Sequence, residues 1–253
     1  MGEQKVIHYC WFGENPLPDS AVKCIESWKK YFPGYSIKEW NESNFNIENT
    51  CEYVREAYKE KKWAFVSDYA RFKILYEEGG IYFDTDVEVI RDMSILIKRC
   101  DGFMGEEKDM YSNSNVYKVN PGLGIYSKSG LDIFKEILDY YNTLHFLDED
   151  GKFNGKTVVD YTTEILKRHG FRGSGEIEKI QNIVIYPTEY FCPMDSLSGR
   201  INISENTYSI HHYTASWQSN YDRFKTQVQR RIGPKMTNRI IKIKRLFKRC
   251  DSR

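Results

Sequence analysis

Two aspartates, Asp84 and Asp86, stand two positions apart after a short apolar run in the segment GGIYFDTDVEVI, residues 79–90. Aspartate is disfavoured within strands, and adjacent like charges repel, so the pair needs something that offsets both costs. A hard divalent cation such as Mg²⁺ or Mn²⁺ would do so, because it takes carboxylate oxygens and completes its shell with phosphate and water. A turn whose Asp side chains accept backbone amides is the other solution. In open α/β sheets, ligands gather at the carboxyl ends of strands, which is where this pair falls.

The preceding segment adds a second polar pair. Asp68 and Arg71 lie at i and i+3 on one stripe of a predicted helix with Ala64 and Leu75, while Phe65, Tyr69, Phe72 and Tyr76 form an aromatic stripe. A helix apolar on more than one side is largely buried, and a buried charged pair needs partners. The pair is either a structural ion pair or a grip on a polyhydroxylated ligand.

Positioning these residues requires a frame of alternating strands and helices. KVIHYCWF (5–12) reads as a buried strand, followed by a helix from Asp19 or Ser20 with Val22, Ile25, Trp28 and Phe32 on one face. YSIKEW (35–40) is the next strand. Helices follow near 51–60 and over 63–78, the latter closed by Gly79-Gly80. Strands are predicted at IYF, VEVI, 101–106, 116–126, 182–187 and 207–213, with helices at 130–145 and 157–168. The alternation predicts an α/β domain. NPGLG (120–124) is either a plain turn or a loop near the site.

Composition narrows the class. Of 253 residues, 40% are hydrophobic, and 19 Tyr, 14 Phe and 5 Trp make the chain rich in side chains suited to ligand clefts. No apolar run is long enough to span a membrane, and the N-terminal stretch is too short and mixed for a signal peptide. Six scattered Cys with no Cys-x-x-Cys pair indicate neither zinc nor a disulfide framework, so a reduced, cytoplasmic setting is expected.

FVSDYARFKILYEEGGIYFDTDV resembles the Ser-Asp-x-x-Arg…Gly-Gly-x-Tyr-x-Asp-x-Asp signature of glycosyltransferase family 32. That family includes initiating mannosyltransferases, bacterial capsule and lipopolysaccharide sugar transferases and, more distantly, clostridial glucosylating toxins. KVIHYCWFGENPLP, IVIYPTEYFCP and SIHHYTASW are similar to its opening, late and closing segments, so the likeness spans residues 5 to about 217. The resemblance implies a GT-A type fold, a Rossmann-like mixed sheet flanked by helices. It also implies a retaining, metal-dependent transfer of a hexose from a nucleotide sugar to a saccharide acceptor. By the same resemblance Trp11 and Tyr82 flank the nucleotide base, Asp68 and Arg71 hold the donor sugar, and Asp84 contacts ribose or sugar beside the metal. Asp86 ligates Mn²⁺ or Mg²⁺ directly, and Ser216 and Trp217 close over the diphosphate. His211 or His212 completes the metal shell, since strand alternation turns only one inward. UDP-glucose or UDP-galactose is the favoured donor, with GDP-mannose the alternative. The chain departs from the family in having no Gly-Pro in KTVVDYTTEIL (156–166), so no acceptor residue is assigned. Two other classes would use an Asp-x-Asp: a metal-dependent phosphohydrolase or nucleotidyltransferase, and a non-catalytic nucleotide-sugar-binding module.

Charge is unevenly spread. Residues 223–253 hold twelve Lys/Arg against Asp251 alone, in a chain of net charge +1. Met236, Ile240, Ile243 and Phe247 fall on one helical stripe, with Lys235, Arg239, Lys242, Arg245 and Arg249 largely alongside. The division expected is a catalytic domain, 1–218, and a basic amphipathic helical tail, 219–253. Such a tail either packs on the domain or binds an anionic membrane surface, bringing the enzyme to a lipid-linked acceptor at the inner face of the plasma membrane. With no interleaved aromatic apart from Phe247, it is not expected to bind nucleic acid.

Overall fold

The computed structural model describes residues 5–109, 116–195 and 198–214. In chain order the elements are β1 (Val6–Cys10), α1 (Asp19–Tyr31), β2 (Ser36–Trp40), α2 (Glu52–Lys59), α3 (Trp63–Glu78), β3 (Gly80–Tyr82) and β4 (Val87–Val89). There follow α4 (Ser94–Ile97), β5 (Gly102–Lys108), β6 (Tyr117–Asn120), a 3₁₀ turn (Pro121–Leu123), β7 (Ile125–Ser127) and α5 (Asp132–Tyr141). The remainder is α6 (Val158–Arg168), β8 (Glu178–Ile180), β9 (Ile183–Tyr186), α7 (Thr188–Phe191) and β10 (Ser209–His211).

Eight strands form one mixed sheet in the order β2-β1-β3-β7-β5-β9-β8, with β6 paired to β5, while β4 and β10 form a two-stranded antiparallel ribbon. Strand β1 is parallel to β2 and β3, and β5 to β9; the β3–β7 and β5–β7 pairs are antiparallel. This is the mixed, helix-flanked sheet that the sequence predicts. One expected strand, 116–126, is in fact two, because Pro121 cannot donate to a ladder and Asn120 caps a turn there. Strand β8 and helices α4 and α7, each three or four residues long, were too short to carry a periodicity.

The chain divides into two compact units, one of Met1–Pro193 with Ile203–His212 and one of Met194–Asn202 with Tyr213–Arg253. In the second, Met194 bridges to Ile201, and Asp195 accepts the Ser198 amide at 2.6 Å. The basic tail lies outside the described residues. Among the described residues no helix is long and apolar enough to cross a membrane.

Helix α3 is the pillar of the first unit. It is buried along most of its length, from Val66 to Leu75, and packs on α2, α5, β1 and β3. Its apolar side meets a cluster of edge-to-face rings, Tyr53, Tyr141, Tyr161 and Phe146, each such pair contributing about 0.5–1.5 kcal/mol beyond area burial. Its end is set by His8, which is fully buried: Nε2–H donates to the Gly79 carbonyl at 2.9 Å, and Nδ1 accepts from the Trp40 indole at 3.0 Å. Both ring nitrogens are used, so the imidazole is neutral, and burial lowers its pKa further. Gly79 and Gly80 have φ of 68° and 102°, and a Cβ on Gly80 would stand 2.8 Å from the Val6 carbonyl, so only glycine lets α3 turn straight into β3.

One buried acid lies on the opposite side of β5. Glu106 is fully buried, and burial with the nearby Glu178, opposed by the Gly175 backbone, pushes its pKa up to about 8. A carboxyl raised from 4.5 to about 8 takes up a proton on folding between those pH values. Stability tied to that proton is complete below about pH 4.5 and lost as pH rises through about 8. Glu106→Gln is therefore expected to raise the melting temperature by about 3 °C or more at pH 8.5 and to change it little at pH 5. Equal shifts at both pH values in calorimetry would contradict a neutral Glu106.

Candidate functional site

Beyond β3 the chain turns through residues 83–86 into β4, with the Val87 amide donating to the Asp84 carbonyl at 3.0 Å. Helix α1 pins β4 from behind: the Trp28 indole donates to the Val87 carbonyl at 2.7 Å, and Ser27 Oγ accepts the Val89 amide at 2.9 Å. On the other edge of β4, β10 pairs with His211 opposite Val87, and the His212 amide donates to the Asp86 carbonyl at 3.0 Å. That register carries His211 from a distant part of the chain to the aspartates. Its Nε2 lies 3.1 Å from Asp86 Oδ1, and one ligand atom from each of Asp84, Asp86 and His211 lies within 4.8 Å of the others.

Alternation along the strand sends the next residue the other way. His212 Nε2 sits 2.8 Å from Glu88 Oε2 on the far face of the ribbon, so it is removed from the expected ligand set. His211 is buried, which alone would lower its pKa, yet Asp86, then Asp84 and Glu107, raise it overall.

A guanidinium holds the other end of the site. Arg71, only 3% exposed, places Nη2 2.9 Å from Asp68 Oδ1 and 3.1 Å from Asp84 Oδ1, while Nε–H donates to the Ser67 carbonyl at 3.2 Å. The ion pair read from the helix is thus present and extends to the first Asp of the motif. Burial pushes Asp68 up to about 7, against Arg71 and with Asp84. Burial also raises Asp84, again opposed by Arg71 and reinforced by Asp86. The fit to a cation rests on this donor set: carboxylate oxygens and one imidazole nitrogen converge where two anions would otherwise repel.

The resemblance puts Tyr82 beside a nucleotide base; the structure corrects this. Tyr82 is 1% exposed, the Arg71 guanidinium lies 5.0 Å over its ring, and its hydroxyl donates to Asp84 Oδ1 at 3.1 Å. It sits on β3, between two strands and beneath α3, so its ring has no face for a base; it orients Asp84. Trp11 differs. It follows β1 at the carboxyl edge of the sheet, is half-buried, and its indole donates to the Asn15 carbonyl at 2.6 Å. Its loop is tied down by the Gly13 amide donating to Glu42 Oε1 at 2.7 Å. Ser216 and Trp217 lie outside the described residues.

Residues 18–102 match the family model described as a glycosyltransferase sugar-binding region containing the DXD motif. Over that span the chain carries the sugar-binding region of DXD-containing glycosyltransferases. Asp84-Thr85-Asp86 is the DXD motif within that matched span. Among solved structures it is similar to "PaToxG Glycosyltransferase", at 18% identity over 66% of this chain and 69% of that one, with a TM-score of 0.48. It is also similar to a glycosyltransferase involved in glycosylation of the major capsid of PBCV-1, at 13% identity over 88% and 98% of the two chains, TM-score 0.45. No curated protein matches.

The turn at NPGLG belongs to the same site as Asp84. Gly122 backs onto the DXD motif so closely that a Cβ there would stand 2.4 Å from Asp84 Oδ2. Asn120 Oδ1 accepts the Gly122 amide at 2.7 Å, and Asn120 Nδ2 donates to Glu107 Oε2 at 2.8 Å. Glu107 went unassigned from sequence; NPGLG, expected as either a plain turn or a loop near the site, is a turn that packs against Asp84.

Arg71→Ala removes the buried countercharge of two carboxylates, Asp68 and the partly buried Asp84. Removing one partner of a buried ion pair costs about 3–5 kcal/mol, so the urea midpoint should fall sharply, with Arg71→Lys intermediate because it keeps the charge but loses the fork. An unchanged midpoint in Arg71→Ala would mean that both acids take up protons at no cost to the fold.

Proposed function

We propose that the protein is a retaining, divalent-metal-dependent hexosyltransferase that moves a sugar from a nucleotide diphosphate donor, UDP-linked before GDP-linked, to a saccharide acceptor. The observation that carries the reading is the convergence of Asp84, Asp86 and His211 beside the Arg71-held Asp68. Asp86 and His211, with Asp84 alongside, would hold Mn²⁺ or Mg²⁺. When bound, that ion supplies positive charge against the diphosphate's developing negative charge, worth several kcal/mol. Asp68 and Arg71 offer an acceptor and donors to sugar hydroxyls, fixing the anomeric carbon relative to the phosphate. The carboxylate of Asp68 also opposes the positive charge that builds at that carbon as its bond to oxygen lengthens. Retention follows if the acceptor attacks from the side the phosphate leaves, its proton passing to the departing phosphate oxygen, so no protein base is required. Trp11 presents an indole edge at the nucleotide end.

The basic segment 223–253 supports a peripheral role at an anionic membrane, with a lipid-linked saccharide of surface polysaccharide or glycolipid synthesis as acceptor, on the cytoplasmic side. Removing residues 234–253 should abolish cosedimentation with phosphatidylglycerol vesicles at low salt and leave donor hydrolysis intact. Full-length protein that stays in the supernatant would end the membrane reading.

The central experiment measures nucleotide release from UDP-glucose, UDP-galactose and GDP-mannose with Mn²⁺, with and without EDTA. A hexosyltransferase prefers one sugar and stops with EDTA, a phosphohydrolase ignores the sugar, and a binding module releases nothing. Asp86→Asn is expected to cut release at least about 100-fold, on the order of 3 kcal/mol, at an unchanged melting temperature. Near-wild-type turnover of this variant at limiting Mn²⁺ would falsify the metal assignment.

A further inference from the structure

We propose that Glu107 contacts a hydroxyl of a sugar bound in this site, donor or acceptor, with Asn120 as its positioning residue. The inference rests on the glycosyltransferase reading and adds a residue to it. Strand β5 alternates, so Glu106 points into the core and Glu107 toward the face where Gly105 meets Leu123 and Phe191. Glu107 stands one residue from the strand's carboxyl end and is half-buried, as a group meeting a ligand must be.

Its orientation is fixed by an amide that can bond only one way. Asn120 Oδ1 is taken by the Gly122 N–H at 2.7 Å, so Nδ2, a donor, faces Glu107 Oε2 at 2.8 Å. Asn120 is 8% exposed, and Gly122 abuts Asp84, so Glu107, Asn120, Gly122 and Asp84 form one connected wall. A carboxylate in that wall repels phosphate and accepts hydrogen bonds from hydroxyls, which selects the sugar over the diphosphate as its ligand.

The test compares wild type, Glu107→Gln, Asn120→Asp and the double variant on three readouts. These are the KM for UDP-glucose, UDP-galactose or GDP-mannose in hydrolysis, the KM for p-nitrophenyl glycosides in transfer, and the Mn²⁺ concentration for half-maximal rate. Glu107→Gln keeps the bond from Asn120 and removes the charge. It is expected to raise one KM about tenfold, the donor's if the hydroxyl belongs to the transferred sugar and the acceptor's if not, with the Mn²⁺ midpoint unchanged. Asn120→Asp sets two carboxylates together and should impair the same KM. The double variant restores the bond in reverse, the introduced amide donating to the introduced carboxylate, and should recover the melting temperature but not the KM. Full recovery of KM would overturn the proposal by making Glu107 a scaffold alone, as would a Glu107→Gln enzyme with wild-type KM for both substrates. A shifted Mn²⁺ midpoint would overturn it in favour of a metal role. A wild type inactive on every donor overturns the glycosyltransferase reading as well; an active wild type confines any failure to Glu107.

Discussion

A guanidinium shut away from water at Arg71 must be neutralised, and it is neutralised by carboxylates from two different elements, Asp68 one helical turn away and Asp84 beyond the next strand. The rest of the site follows from that constraint. Because Arg71 is always charged, Asp84 is held to one side, its oxygens engaged by Arg71, by Tyr82 and by contact with Gly122. Asp86, two residues on, is turned toward His211 instead. One arginine thus divides a pair of like charges into a member that is anchored and a member that faces the histidine.

The scaffold serves the same division. Buried polar groups are tolerated only when satisfied, and each element near the site brings its own satisfaction. His8 spends both ring nitrogens fixing the end of α3 and the edge of β2. Trp28 and Ser27 fix β4, which fixes β10 through its register, which fixes His211. The precision of the cluster is therefore a product of strand pairing and helix packing around the buried Arg71. Glu106 is one exception: it is buried beside Glu178, and its proton is the way the core avoids an uncompensated charge.

Several of these features could be read before any coordinates. Helix α3 was legible because it is apolar on two sides and ends in Gly-Gly, and its observed span, Trp63–Glu78, matches the pattern. The α/β class followed from alternating strands and helices, and the mixed, helix-flanked sheet from the resemblance of the motifs. Other positions were not legible for definite reasons. Tyr82 carries the right side chain for stacking, but whether a ring faces a ligand or a neighbouring guanidinium depends on what lies above the strand. Glu107 and Glu106 are adjacent acids with the same composition signal and opposite environments, separated only by which face of β5 each occupies.

What the sequence by itself determined is local: a strand leading into Asp84 and Asp86, a buried helix bearing Asp68 and Arg71 at i and i+3, and a turn at Asn120-Pro121-Gly122. Periodicity, capping and glycine placement are short-range properties, and they are written in neighbouring residues. What only the tertiary structure decided is which distant groups meet: His211 rather than His212 at Asp86, Gly122 against Asp84, and Arg71 between two acids rather than one. The physical reason is that strand register and the choice of sheet face are set by the packing of the whole domain, and a shift of one residue in either would exchange every one of these partners.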